Sequence, residues 1–251
     1  MTSKQKIVLA IGLGCVIVFG YWRYQVGARP RPVAQFGFIQ DTSDSIASDC
    51  GRMEGLTKRA LAMKTTGAGS KITLFAFGTK ETANEPRFLG EFEVPVIRRV
   101  IEGQRAAARE KQSLLEKVRS SCKELGETKV SPVFQAVKRG VEHMQQTGNS
   151  IDERYLFVQT DGEETENPQI KAALKSTKGK LPPLPASIDN KGVHVTFCGI
   201  AETIGDAPPE KGKPKHRTAM RNQRHSDVLR EVWTKVFTAP QLVTFEPYCS
   251  R

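Results

Sequence analysis

A chain of 251 residues with 38% hydrophobic and 26% charged content is long enough for one globular α/β domain and a short appendage, but two full domains would be cramped. Ordinary aromatic content and the lack of repeats with a period of ~20 to 50 residues exclude wholesale disorder and repeat architectures. The formal charge of +11 favours anionic partners, namely nucleic acid, an acidic membrane surface or an acidic protein, and a solvated basic surface without a binding role is the alternative.

The amino-terminal segment predicts a membrane anchor. Residues 1–6 are short and basic, and residues 7–22 are uncharged and mostly apolar, slightly fewer than the ~20 needed to span a bilayer. We expect an uncleaved signal anchor with the soluble domain on the extracytoplasmic side, although flanking Lys and Arg nearly balance the positive-inside rule. Cleavage after Ala28 and a buried core helix are the alternatives.

The cysteines outside this segment are spread widely along the chain. Cys50, Cys122, Cys198 and Cys249 form no C-x-x-C pair, which disfavours a zinc site. Export would permit two disulfides, but cysteines this sparse are more often free and buried.

The folded domain is predicted to occupy residues 33–251, after a stiff Arg/Pro linker at 23–32. Its strands alternate with helical patterns that include a long charged stretch over 96–125 and helices that open at the capping pairs 131–132 and 167–168 and after the cap Ser226. The predicted strands are 36–40, 72–77, 88–94, 155–160, 193–200 and 242–245.

Alternating strands and helices predict an α/β fold: a doubly wound, mainly parallel central sheet with helices on both faces. Ligand sites in such folds lie at the carboxyl ends of the strands. Two of the predicted strands deliver an aspartate to that edge, Asp41 after the first and Asp161 after the fourth. We therefore expect the functional site there.

The segment after the first strand presents oxygen ligands at alternate positions. Asp41, Ser43 and Ser45 place a carboxylate and two hydroxyls in one turn. A hard cation such as Mg²⁺ prefers about six oxygen ligands and keeps some of its water, so this donor set suits it.

Three segments, FGFIQDTSDS, KVSPVFQAV and YLFVQTDGEE, resemble the three loops of the metal-ion-dependent adhesion site in von Willebrand factor A domains. The family pattern, Asp-x-Ser-x-Ser, then Thr, then Asp-Gly, falls on Asp41, Ser43, Ser45, Ser131 and Asp161. The resemblance implies one Mg²⁺, or Mn²⁺ or Ca²⁺, bound directly by the first-loop serines and mostly through water by the aspartates. An acidic residue of a partner protein would complete the coordination.

Two departures from the family pattern are visible. Ser131 replaces the usual threonine but keeps the hydroxyl. The sequence given stops soon after the last predicted strand, at Arg251, so a switch through a terminal helix is not expected. Each segment taken alone also fits a helix cap or a turn. We interpret Glu163 and Glu164 as a solvated approach to a helix.

The segment 210–225 is basic and poorly periodic, and we predict an exposed loop that could place a positive rim beside the metal edge.

The sequence thus predicts a membrane-tethered, cation-dependent protein-binding module that is not an enzyme and takes no small-molecule substrate. Alternatives are a basic platform for nucleic acid, which is less favoured because stacking aromatics are lacking, or for acidic lipid. A metal-dependent phosphohydrolase with Asp41 as nucleophile is a further alternative.

Overall fold

The computed structural model describes residues 33–41, 50–63, 69–78, 86–93, 100–123, 131–146, 151–175, 184, 187–200 and 215–246. All of them belong to the unit that runs from Pro32 to Arg251. The predicted anchor at 7–22 and the linker at 23–32 lie outside the described residues. Within the described residues, no helix combines the length and the apolar character needed to cross a membrane.

The secondary structure alternates between strands and helices. The strands are β1 (Ala34–Asp41), β2 (Lys71–Phe77), β3 (Arg87–Glu93), β4 (Glu153–Gln159), β5 (His194–Cys198) and β6 (Val243–Glu246). The helices are α1 (Cys50–Ala62), α2 (Val100–Lys123), α3 (Val133–Gln146), α4 (Pro168–Leu174) and α5 (Lys215–Lys235), and a 3₁₀ turn (Pro240–Leu242) precedes β6.

The strands form one six-stranded sheet in the order β3-β2-β1-β4-β5-β6. All neighbours pair in parallel except β2 and β3, which are antiparallel. The prediction of an α/β fold with a mainly parallel sheet is therefore confirmed. β1 lies between β2 and β4, so its carboxyl end is flanked by strand ends on both sides.

Successive residues of a buried strand point to opposite sides of the sheet. Helices cover both of these sides. Ile39 of β1 packs in the cluster that contains α3, α4 and α5. Phe38, one residue earlier, packs with α1 and α2. α3 approaches the sheet closely at Gly140, where an added Cβ would lie 2.5 Å from the Ile39 Cδ1 atom.

α5 corrects one prediction about the basic segment. The helix begins at Lys215 and Ser226 lies buried within it, so residues 215–225 are helical rather than a loop and Ser226 is no cap. The segment lacks an apolar stripe, but Lys, Arg, Gln, Met and Ala favour helix without one. Residues 210–214 lie outside the described residues.

A second correction concerns the cysteines. Cys198, at the end of β5, is buried as expected, but it is disulfide-bonded rather than free. The side chains of the other cysteines lie outside the described residues.

Candidate metal centre

The carboxylate of Asp41 is the centre of a hydrogen-bonded group at the carboxyl edge of the sheet. Its Oδ2 atom accepts a hydrogen bond from the Ser131 hydroxyl at 2.7 Å, across 90 residues of sequence. The same oxygen accepts a second bond from the Thr160 hydroxyl at 2.9 Å. All three residues are buried. The fold thus brings one carboxylate and two hydroxyls from three chain segments to one point.

Strand register explains why these residues meet. β1 and β4 are parallel neighbours in which Gln40 pairs with Gln159, so Asp41 and Thr160 follow at the same level. The side chain of Asp41 has the same parity as that of Ile39, which faces α3. Ser131 lies two residues before the first residue of α3. Asp41 therefore points toward the start of that helix.

Asp161 lies in the tight turn that follows β4. Its Oδ1 atom accepts the backbone N–H of Glu163 at 3.0 Å, and the Gly162 N–H bonds to the Thr160 hydroxyl at 3.0 Å. Gly162 has a φ of 84°, a backbone conformation that residues other than glycine rarely adopt. Its carbonyl accepts a 3.0 Å hydrogen bond from the indole of Trp233 on α5. Asp161 is thus held by both its own turn and the core.

The two later segments of the site are joined directly. Ser131 N–H donates to the Thr165 hydroxyl at 2.7 Å, and Thr165 N–H donates back to the Ser131 carbonyl at 3.1 Å. The loop after β4 and the start of α3 therefore form one unit. A displacement of either segment would move the Ser131 hydroxyl.

Glu164 connects the same two segments through hydrogen bonds of its buried side chain. Its carboxylate accepts the backbone N–H groups of Phe134 at 2.6 Å, Glu166 at 2.7 Å and Asn167 at 2.9 Å. Burial raises the pKa of Glu164, and the three backbone hydrogen bonds oppose that rise. The prediction of a solvated Glu164 is wrong, because only 4% of the residue is exposed.

Glu163 is exposed, as predicted, but it also has a partner. Its Oε1 atom lies 2.5 Å from the Nε2 atom of His225 on α5. The helix that replaces the predicted basic loop therefore contacts the metal edge through this pair. Neither residue was a sequence-predicted member of the site.

The predicted ligands divide into two groups. Asp41, Ser131 and Asp161 are brought to one edge of the sheet, whereas Ser43 and Ser45 lie outside the described residues. Thr160 is an addition, which the two-residue alternation of β4 could have revealed. No cluster of three or more His, Cys, Asp or Glu side chains that could hold a metal occurs among the described residues. The assignment of the metal ligands stays a prediction.

The donor set nevertheless fits a hard cation. A hydroxyl has one proton and two lone pairs, so Ser131 can donate to Asp41 and still offer a lone pair to a metal. Carboxylate, hydroxyl and water oxygens are the ligands that Mg²⁺ and Mn²⁺ accept. Asp41, Ser131 and Asp161 would hold the ion together with the predicted Ser43 and Ser45.

No protein family matches the sequence, and no curated protein matches it significantly. Among solved structures, the chain is similar to the pilus adhesin SpaC of Lactobacillus rhamnosus GG in its open conformation, with 12% identity and a TM-score of 0.44. That match covers 88% of this chain but only 28% of the adhesin. It is also similar to the manganese-loaded TRAP protein of Plasmodium vivax, with 14% identity, a TM-score of 0.37 and coverage of 78% and 74%, respectively.

Proposed function

We propose that residues 33–251 form a von Willebrand factor A-like binding module that holds one divalent cation through Asp41, Ser43, Ser45, Ser131 and Asp161. The cation bridges the protein to an acidic residue of a partner protein, and no chemical turnover takes place. The observation that carries the proposal is the 2.7 Å hydrogen bond from the Ser131 hydroxyl to the Asp41 carboxylate. It joins two segments of the sequence motif through the side chains that the motif requires.

The surrounding contacts support a rigid, prearranged site. The hydroxyls of Ser131 and Thr160 fix the Asp41 carboxylate, and the turn after β4 fixes Asp161. A cation that binds at this edge therefore meets oxygens of Asp41, Ser131 and Asp161 that the fold already positions, which lowers the entropic cost of binding. Because it keeps an open position, the ion can accept a carboxylate from outside.

The first test is cation binding by the full-length chain. Calorimetric titration with Mg²⁺ and Mn²⁺ should show one site, and Ser131→Ala and Asp161→Ala should each weaken it by about tenfold or more. Asp152→Ala is the matched control, because Asp152 is an exposed aspartate just before β4, at the opposite edge of the sheet. Equal binding by all four proteins would overturn the proposal.

The alternative of a phosphohydrolase makes a different prediction. If Asp41 were a nucleophile, the full-length chain would hydrolyse an aryl phosphate with Mg²⁺ present, and Asp41→Asn would abolish the reaction. In the structure, both described contacts of the Asp41 Oδ2 atom are hydroxyl donors, which hold that oxygen and lower its reactivity as a nucleophile. We therefore propose binding rather than catalysis.

We also propose that the module is tethered to a membrane through residues 7–22 with the domain on the extracytoplasmic side. The support is the uncharged, apolar composition of that segment. Protease protection in intact cells tests the topology: the domain should be cleaved by externally added protease, and full protection would contradict the proposed orientation.

A further inference from the structure

A cavity of about 200 Å³ lies beside the candidate metal centre. Its lining residues come from the loop between β4 and α4, from α4 and its carboxyl end, and from His225 of α5. Glu163, Glu164 and Thr165 line it from the loop after β4, and Lys171, Leu174 and Lys175 line it from α4 and its carboxyl end. Because Thr165 bonds to Ser131 in both directions, the cavity and the candidate metal centre share structural elements.

The two carboxylates in the cavity wall already have partners. Glu164 accepts three backbone N–H groups, and Glu163 lies against His225. Both carboxylates therefore have partners other than a lysine.

The two lysines are in the opposite situation. Lys171 and Lys175 are exposed and one helical turn apart. The Lys171 ammonium donates to the Thr165 carbonyl at 3.3 Å, but among the described residues no carboxylate pairs with either ammonium. Leu174, the residue before Lys175, is buried and contributes an apolar side chain to the cavity lining. An acidic side chain with a short aliphatic stem matches this combination of charge and apolar contact.

We propose that this cavity is a second recognition site that receives another acidic side chain of the partner, next to the one that coordinates the cation. The inference rests on the proposed function of the metal centre. Lys171 and Lys175 would bind the second carboxylate, and Leu174 would contact its stem. The preferred partner is thus a segment with two acidic residues rather than one.

The test uses the full-length chain loaded with Mn²⁺ and two kinds of capped glycine-rich peptide. One kind carries a single aspartate, and the other carries a glutamate as well, at increasing distances from the aspartate. At its best spacing the second acidic residue should tighten binding by about threefold to tenfold, the effect expected of exposed charge pairs. Raising the salt concentration should shrink this advantage.

Lys171→Gln/Lys175→Gln should abolish the advantage while leaving the single-aspartate peptide and the cation bound as before. Lys111→Gln/Lys117→Gln is the matched control, because these exposed lysines belong to α2, which packs on the face of the sheet opposite to α4. If the single-aspartate peptide binds equally in Mn²⁺ and EDTA, the proposed function fails. If it needs Mn²⁺ but the second acidic residue adds nothing at any spacing, only the second site is overturned. An equal loss of the advantage in both lysine variants also overturns it.

Discussion

Glu164 is the residue whose replacement should disturb the site most without removing a metal ligand. It is buried, and its carboxylate accepts backbone N–H groups from the first turn of α3 and from the residues that lead into α4. Glu164→Ala removes all three acceptors at once. Phe134 is buried, so its N–H cannot easily find water instead, which costs about 1 to 3 kcal/mol.

The backbone N–H groups of Glu166 and Asn167 are only partly buried, so hydrogen bonds to water can replace part of the lost interaction. We therefore expect Glu164→Ala to lower the free energy of unfolding by about 2 to 4 kcal/mol in total, a large share of the ~5 to 15 kcal/mol typical of a domain. Urea unfolding of the full-length chain measures this free energy. Tryptophan fluorescence can follow the transition because Trp233 is fully buried. Glu166→Ala, an exposed neighbour, should change stability by less than about 0.5 kcal/mol. Equal stability of Glu164→Ala and wild type would refute the reasoning.

The raised pKa of Glu164 adds a pH dependence whose sign is defined. Burial favours the neutral carboxyl in the folded state, so the folded chain retains this proton at a higher pH than the unfolded chain does. The contribution of the group to stability is therefore fully present below its unfolded pKa of 4.5 and is lost as pH rises through its higher folded pKa. The stability difference between wild type and Glu164→Gln should be largest in acid and should shrink toward neutral pH. A difference that grows with pH would contradict the sign.

Three further substitutions probe the packing and the hydrogen bonds around the site. Gly140→Ala should destabilise the fold by about 1 to 3 kcal/mol in urea unfolding, because the new Cβ would lie 2.5 Å from the Ile39 Cδ1 atom. The gain in helix propensity is smaller than this steric cost. A more stable variant would contradict the prediction. Trp233→Phe should cost about 1 to 2 kcal/mol in thermal unfolding, because the Gly162 carbonyl loses its indole donor, and an unchanged melting temperature would argue against it. Thr160→Val keeps the shape but removes a hydroxyl that also accepts the Gly162 N–H, so cation affinity should fall in calorimetry, and wild-type affinity would exclude a positioning role.

The parts of the fold that were predictable have local, periodic causes. Apolar runs placed all the strands within a few residues of their observed bounds, and the Asn167-Pro168 pair marked the start of α4, where the Asn167 side chain accepts two backbone N–H groups. The antiparallel direction of β3 was not predictable in this way, because an apolar run has no direction. The order of the strands, with β1 between β2 and β4, likewise depends on how the connections cross the sheet.

The residues that the sequence misassigned depend on tertiary contacts. Glu163 and Glu164 are adjacent and chemically equal, yet one is exposed beside His225 and the other is buried against the first turn of α3. Charge patterning treats such a pair as one solvated feature. Only the approach of α3, which brings the N–H of Phe134 to the loop, separates their environments.

Thr160 shows how much of the site follows from strand geometry. Leu156 and Val158 of β4 face the α3 side of the sheet, and Thr160 continues their two-residue period. Asp41 continues the period of Ile39 in the neighbouring strand, so the parallel register brings the carboxylate and the hydroxyl together. These two positions follow from the sheet, whereas the Ser131 contact also requires α3 to begin at the same edge. A substitution that shifts α3 along the sheet should therefore break the Ser131 bond to Asp41 before it breaks the Thr160 bond.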